Sequence, residues 1–374
     1  MVTERILLMV FVTLFTRLKN VHLLKDVGMI PYMLHRDYGV DSTIVSLKNE
    51  EEYPFFYKEV KGLKHEFLPH DRLSPTAAAL KYVWNNAKKI DVLNVYHLNL
   101  SSFLCLLIYR LRKKKGGKGY LKLDMDLKGY KRLFMLNPVG LVKRLTMDLS
   151  DIVSVETTLL YNRLRKRYGK KILYIPNGFY ATGKEPLREF GKKDIILTVG
   201  NLGSYPKATD TLLSAFAGVS YGNDWKLVLV GPIEPSFKPF LKNFMEKHRD
   251  LQDRIIFTGE IRNKDRLDNI YRMAKIFVLP SRSESFGIVL LEAVARGDFL
   301  ITTTAVPAGR DIYNDGKFGF IVPPDDIPAL SGSLIRLIHS HADWETRARE
   351  IADYAWYDFR WEPIIAKLHD ALKS

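Results

Sequence analysis

Two glutamates eight residues apart, Glu284 and Glu292, lie in Pro280–Gly297, PSRSESFGIVLLEAVARG, directly after the β-rich apolar run Ile276–Leu279. If the run is a strand and the segment a turn leading into a helix, Glu284 falls in the turn. Glu292 then falls inside the helix, on a face turned roughly toward the same cleft. Free backbone N–H groups at a helix start near Phe286 and Gly287 favour a diphosphate, and Gly287 lets a ligand approach closely. The two carboxylates could accept hydrogen bonds from sugar hydroxyls at either end of such a ligand. The same residues also fit a helix with an acidic first turn and one exposed mid-helix Glu.

A second segment, Val199–Leu213, VGNLGSYPKATDTLL, has the form of a strand end, a Gly-containing loop and a helix start. Lys207 there is a point charge suited to phosphate oxygens, with loop amides around Gly200 and Gly203 in support; it also fits a surface Lys in an ordinary turn. Gly-x-Gly-x-x-Gly and Gly-x-x-x-x-Gly-Lys-Ser/Thr are both absent, which weakens a nicotinamide reading and removes the signature of a P-loop phosphotransferase. In the first half, His97 ends one candidate strand, where it fits a cleft-facing or a structural His, and Asp124 ends another with Asp126 two residues beyond. Either Asp could orient an acceptor hydroxyl or simply hydrogen-bond a loop. No Cys/His cluster is present, and Asp124-Met125-Asp126 has metal-binding spacing but lies in the first half, so no metal is expected.

These residues need a scaffold that brings loops together. Apolar runs at Ile6–Phe15, Ser42–Leu47, Val92–His97, Tyr120–Asp124, Ile152–Val155 and Ile172–Ile175 predict strands. Between them Asn20–Tyr38, Ser74–Lys88, Leu100–Arg112, Tyr130–Leu149 and Thr157–Tyr168 predict helices. The alternation stops at Ile175-Pro176-Asn177-Gly178, with Phe179–Lys193 as a linker. It restarts with strands at Ile195–Val199, Leu227–Val230, Ile255–Thr258, Ile276–Leu279, Phe299–Thr303 and Phe320–Val322. Two parallel α/β sheets follow, and ligands in such sheets bind beyond the carboxyl ends of the strands.

Charge divides the chain unevenly. Residues 1–180 hold 31 Lys and Arg against 16 Asp and Glu, a surplus of 15, while the remainder holds 26 of each. The first half therefore suits an anionic partner. Lys131, Arg132, Lys143 and Arg144, interleaved with Tyr130, Leu133, Phe134, Met135 and Leu141, suggest a basic amphipathic surface for anionic lipid headgroups, or a solvated charged face. No nucleic-acid recognition motif is found, and nucleic acid is not expected as a partner. The longest apolar runs fall short of the roughly 20 residues that span a bilayer, and no signal-peptide cleavage pattern follows the first. The lone Cys105 fits a reducing compartment, so the expected location is cytoplasmic, with peripheral attachment to the inner face of the membrane.

The sequence resembles glycosyltransferase family 4, the retaining enzymes of the GT-B fold, over most of Ile172–Leu368. The resemblance is carried by Glu284-x7-Glu292, the IPNG turn Ile175–Gly178, the loop Val199–Lys207, LVG at Leu229–Gly231, FTGEI at Phe257–Ile261 and GKFGFIVPPDD at Gly316–Asp326. It implies an α/β GT-B chain of two Rossmann-like domains facing a central cleft. The acceptor domain would be 1–178, the donor domain 179–355, and a C-terminal helix within 356–374 would return to the first. By this resemblance Glu284 contacts the donor sugar, Glu292 the ribose and Lys207 a phosphate. Gly200, Asn201, Gly203, Gly231, Ser285, Phe286, Gly287 and Ile288 complete the donor site. Asn201 stands where the family usually has Arg, the Gly-Gly loop usual after the first strand is absent from Phe15–Leu24, and Asp124 or Asp126 replaces a frequent His.

The implied reaction is sugar transfer, with retention, from a UDP- or GDP-type donor to an acceptor hydroxyl on a glycan or lipid-linked precursor, without cofactor. A nucleotide-sugar epimerase on this fold needs no acceptor surface, and detecting transfer would decide against it. A non-catalytic nucleotide-sugar-binding protein would be rejected by donor hydrolysis.

Overall fold

The computed structural model describes residues 9–69, 73–179 and 186–374. It divides the chain into two compact units, residues 1–180 with 361–374, and residues 181–360. The start of the expected strand Ile6–Phe15 and part of the linker Phe179–Lys193 lie outside the described residues.

The first unit runs β1 (Val10–Leu14), α1 (Asp26–Tyr38), β2 (Asp41–Ser46), α2 (Pro54–Lys58), β3 (Lys64–Phe67), α3 (Pro75–Asn86) and β4 (Val92–Tyr96). It continues through α4 (Leu100–Arg112), β5 (Lys118–Leu123), α5 (Leu127–Leu133), α6 (Pro138–Leu149), β6 (Ile152–Val155), α7 (Thr158–Tyr168) and β7 (Ile172–Tyr174). All strands are parallel, in the order β3-β2-β1-β4-β5-β6-β7. Central strands are apolar runs because helices cover both faces; every residue of β4 is buried.

The second unit runs β8 (Lys193–Val199), α8 (Thr209–Val219), β9 (Lys226–Val230), α9 (Lys238–Lys247), β10 (Ile255–Gly259), α10 (Lys264–Met273) and β11 (Ala274–Leu279). Then follow α11 (Ile288–Val294), β12 (Phe299–Thr303), α12 (Gly309–Ile312), β13 (Gly319–Val322), α13 (Ile327–Ile338) and α14 (Trp344–Phe359). Its parallel order is β10-β9-β8-β11-β12-β13. In each sheet the winding reverses between the first and fourth strands of its unit, which leaves a crevice at the strands' carboxyl ends. The last helix, α15 (Trp361–Lys373), belongs to the first unit. Its Ile364, Ile365 and Leu368 share a core with Ile30 and Leu34 of α1, and the His369 ring stacks on Tyr38 at 3.8 Å. The division falls at Arg360–Trp361, later than residue 355.

Two expected helices are each divided. Asn20–Leu24 forms a separate 3-10 turn before α1. Tyr130–Leu149 is broken because Asn137-Pro138 starts a new helix: Pro138 lacks an N–H, and Asn137 caps α6 by accepting from Gly140 N at 2.8 Å. The elements α2 and β3 have no counterpart in the sequence reading. β3 is an edge strand reading Lys-His-Glu-Phe and largely exposed, so it carries no apolar alternation to detect. Among the described residues no helix is long and apolar enough to cross a membrane.

Candidate functional site

The switch point of the second sheet lies between β8 and β11, and the two glutamate and lysine segments leave from those strands. Lys207 sits in a 3-10 turn just before α8, and its Nζ donates to Glu284 Oε2 across 77 residues of sequence. Both side chains are partly exposed. The contact is arranged by Arg282, which the sequence reading does not single out. Its backbone N–H donates to Pro206 O at 2.8 Å and its guanidinium to Tyr205 O at 2.9 Å, Asp210 at 2.7 Å and Asp325 at 2.6 Å. The loop after β11 is thereby stitched to the loop after β8. Thr303 Oγ1 adds a bond to Ser281 O at 2.6 Å, holding the same loop to β12.

Glu292 lies one turn into α11 and accepts from the buried Tyr271 hydroxyl at 2.9 Å. Burial and the neighbouring Glu292 carboxylate push the Tyr271 phenol well above its usual range, so it stays a donor. Phe286 is buried, Ser285 and Ile288 are half-buried, and Gly287 caps α11 at φ 84°, a conformation open to glycine at little cost. Asn201 is taken up by Glu234. Gly203 N donates to Thr209 Oγ1 at 2.8 Å.

Gly200 and Gly231 bring the loops after β8 and β9 into backbone contact. A Cβ on Gly231, at φ 137°, would lie 1.8 Å from Gly200 O. Gly231→Ala is therefore expected to destabilise the second unit by about 1–3 kcal/mol and to disturb the Gly200 amide. Denaturant unfolding measures this, and a midpoint equal to wild type would show that the loops have slack.

In the first unit the corresponding switch point lies between β1 and β4. His97 follows β4 in the left-handed region at φ 65°, its ring 6.1 Å from Phe15. Asp124 is exposed just beyond β5. Asp126 caps α5, accepting from Gly129 N at 2.6 Å, so one of its oxygens serves the loop. Sequence reasoning misses the buried charges beneath them. Lys122 on β5 is fully buried and reaches Glu156 at 2.8 Å and Asp26 at 3.7 Å. Asn177 Nδ2 donates to Glu156 at 3.0 Å. Burial raises both carboxyls against the pull of Lys122, Glu156 to about 8.

Of the four basic residues singled out for an anionic surface, Lys131 and Arg132 on α5 are exposed. Lys143 is half-buried, and Arg144 Nη1 donates to Leu133 O and Met135 O at 3.2 and 2.9 Å, tying α5 to α6.

Residues 181–354 match the family model described as glycosyl transferases group 1. Among curated proteins, N-acetyl-alpha-D-glucosaminyl L-malate synthase of Bacillus anthracis is 29% identical over 186 residues, covering 48% of this chain and 46% of that protein. The chain thus aligns with about half the length of that relative. Among solved structures, sucrose-phosphate synthase from Thermosynechococcus elongatus superposes with a TM-score of 0.73 at 18% identity, covering 98% of each chain. Anabaena Alr3699/HepE, solved with UDP and glucose, gives 0.71 at 15%, covering 98% of this chain and 99% of that one. At such identities the likeness shows the fold, which is the two-unit α/β class called GT-B.

Proposed function

We propose that the protein is a retaining glycosyltransferase that moves a sugar from a nucleoside diphosphate of the UDP or GDP type to an acceptor hydroxyl. The observation that carries this reading is the Lys207–Glu284 pair at the second switch point, with Glu292 eight residues on and fixed by Tyr271. A diphosphate laid against Lys207 competes with Glu284 for the ammonium and frees that carboxylate for the sugar hydroxyls. Glu292 accepts from the ribose. The backbone amide of Gly287, at the start of α11, adds a positive end toward the phosphates, while the amides of Gly200 and Gly203 hold their own loops by bonding Val230 O and Thr209 Oγ1. The UDP named with the Anabaena neighbour supports a donor of this class.

In the transfer, the acceptor oxygen bonds to the anomeric carbon as the bond from that carbon to phosphate oxygen breaks on the same face. The acceptor proton passes to the departing diphosphate, and Lys207 stabilises the developing charge. Asp124 and His97, with Asp126 beside them as the cap of α5, orient the acceptor, a glycan or lipid-linked precursor. The basic first unit suits the cytoplasmic leaflet, which carries the anionic lipid.

Lys207→Ala and Glu292→Gln are each expected to weaken nucleotide-sugar binding by about tenfold or more, since each removes a charge-assisted hydrogen bond. Calorimetry with UDP- and GDP-sugars reads this directly. Unchanged affinity in both variants, with the fold intact, places the donor elsewhere. Activity is expected to survive EDTA, because Lys207 and the start of α11 supply the positive field; a strict need for Mn²⁺ or Mg²⁺ contradicts the site as drawn.

A further inference from the structure

We infer that the corner between α5 and α6 inserts its apolar side chains into the surface of a bilayer that carries anionic lipid. Met135, Leu136, Val139 and Leu141 all stand in water there, Leu136 at 97% exposure and Val139 at 62%. Their exposure is built rather than loose. Asn137 caps α6, Pro138 fixes its first turn, and Arg144 bonds the carbonyls of Leu133 and Met135. Gly140 permits the close turn, since a Cβ there would lie 2.1 Å from Met135 O. The corner is therefore already ordered, and little conformational freedom remains to be lost on docking.

The surrounding charge selects the partner. Lys128, Lys131, Arg132, Lys143 and Arg144 lie within 127–149, and the sole acid of that segment, Asp148, sits at the far end of α6. At 1.5 Å per residue that is about 15 Å from Pro138. Asp126, just before the segment, is occupied as the cap of α5. From α7, Arg163 lies 5.4 Å over the Tyr130 ring and Arg167 4.8 Å over Phe134, adding cations beside α5. An apolar tip flanked by cations matches the boundary between headgroups and acyl chains. A second copy of the chain would bring the same positive charges face to face.

This inference rests on the reading of a membrane-held acceptor, but its test needs neither donor nor acceptor. The full chain is sedimented with vesicles of equal parts phosphatidylglycerol and phosphatidylcholine, and with phosphatidylcholine alone. Binding to the first and not the second is expected. Lys131→Gln with Arg132→Gln should cut partitioning about 25-fold at low salt, at roughly fivefold per cation. Leu136→Asp with Val139→Asp should cut it at least about tenfold at every salt concentration, with the unfolding midpoint unchanged because both side chains already face water. Undiminished binding of the Asp double variant, equal binding to neutral vesicles, or no binding at all overturns the inference. So does wild-type self-association that the Asp variant abolishes. Donor binding, measured separately, tells whether the transferase reading survives.

Discussion

Glu284→Ala is expected to lower kcat by about 10²–10³ while bare nucleoside diphosphate binds as tightly as before or more tightly. The first half follows from the proposed contact: a carboxylate that engages the sugar while it reacts stabilises the transition state more than the ground state, and such a contact is worth about 3–4 kcal/mol. The second half follows from the ion pair. In the wild-type chain Lys207 is held by Glu284, so a phosphate gains Lys207 only by competing with that carboxylate. Removing the carboxylate leaves the ammonium unpaired and available. Steady-state kinetics with calorimetry of UDP and GDP separates the two effects. If nucleotide affinity falls in step with kcat, Glu284 holds the loop for Lys207 and does not serve the sugar. Glu284→Gln, which keeps the side chain's shape, should lose most of the rate as well.

The site's two ends were legible because each is local. Glu284, Gly287 and Glu292 share one strand-to-helix segment, and Lys207 follows another, so the end of an apolar run puts each in or just after a strand-end loop, while their proposed roles come from the family resemblance. What joins the ends was not legible. Arg282 looks like one more polar residue in a Ser-rich turn, and its partners Asp210 and Asp325 stand 72 and 43 residues away. Tyr271 shows only as an aromatic on a polar helix, although its hydroxyl fixes Glu292. The same limit hid β3, whose pairing with β2 is made by backbone bonds that leave no mark on the side-chain pattern. Asn137-Pro138, by contrast, is a helix start written in the sequence, and the basic, apolar run through 130–149 masked it.

Lys122 was hidden for a further reason: in Tyr-Leu-Lys-Leu-Asp an alternating Lys reads as the wet side of a strand, yet both faces of this sheet are covered and the side chain is fully buried. Lys122→Met is expected to destabilise the first unit by about 3–5 kcal/mol, because it leaves the buried Glu156 and Asp26 carboxyls without their cation. Adding Glu156→Gln should recover much of that loss, since Asn177 still has an oxygen to bond. The pH dependence tests the same cluster with a definite sign. Glu156 is raised from an ordinary 4.5 to about 8, so between those values the folded chain holds a proton that the unfolded chain has released. Stability from this group is complete below about 4.5 and is lost as pH rises toward 8, at up to about 1.4 kcal/mol per pH unit. Lys122 is itself raised, and its contribution disappears only well above that window. Glu156→Gln should therefore flatten the fall in denaturant midpoint between pH 5 and about 8. The proposed acceptor role of Asp124 bears on this cluster because Asp124 follows Lys122 by two residues at the end of β5, and Glu156 follows β6 alongside it. A loosened cluster should raise the acceptor KM while donor affinity in the second unit stays as it was. A Lys122→Met chain with wild-type stability, an unchanged pH slope and an unchanged acceptor KM would remove the cluster from any role in holding that end of the sheet.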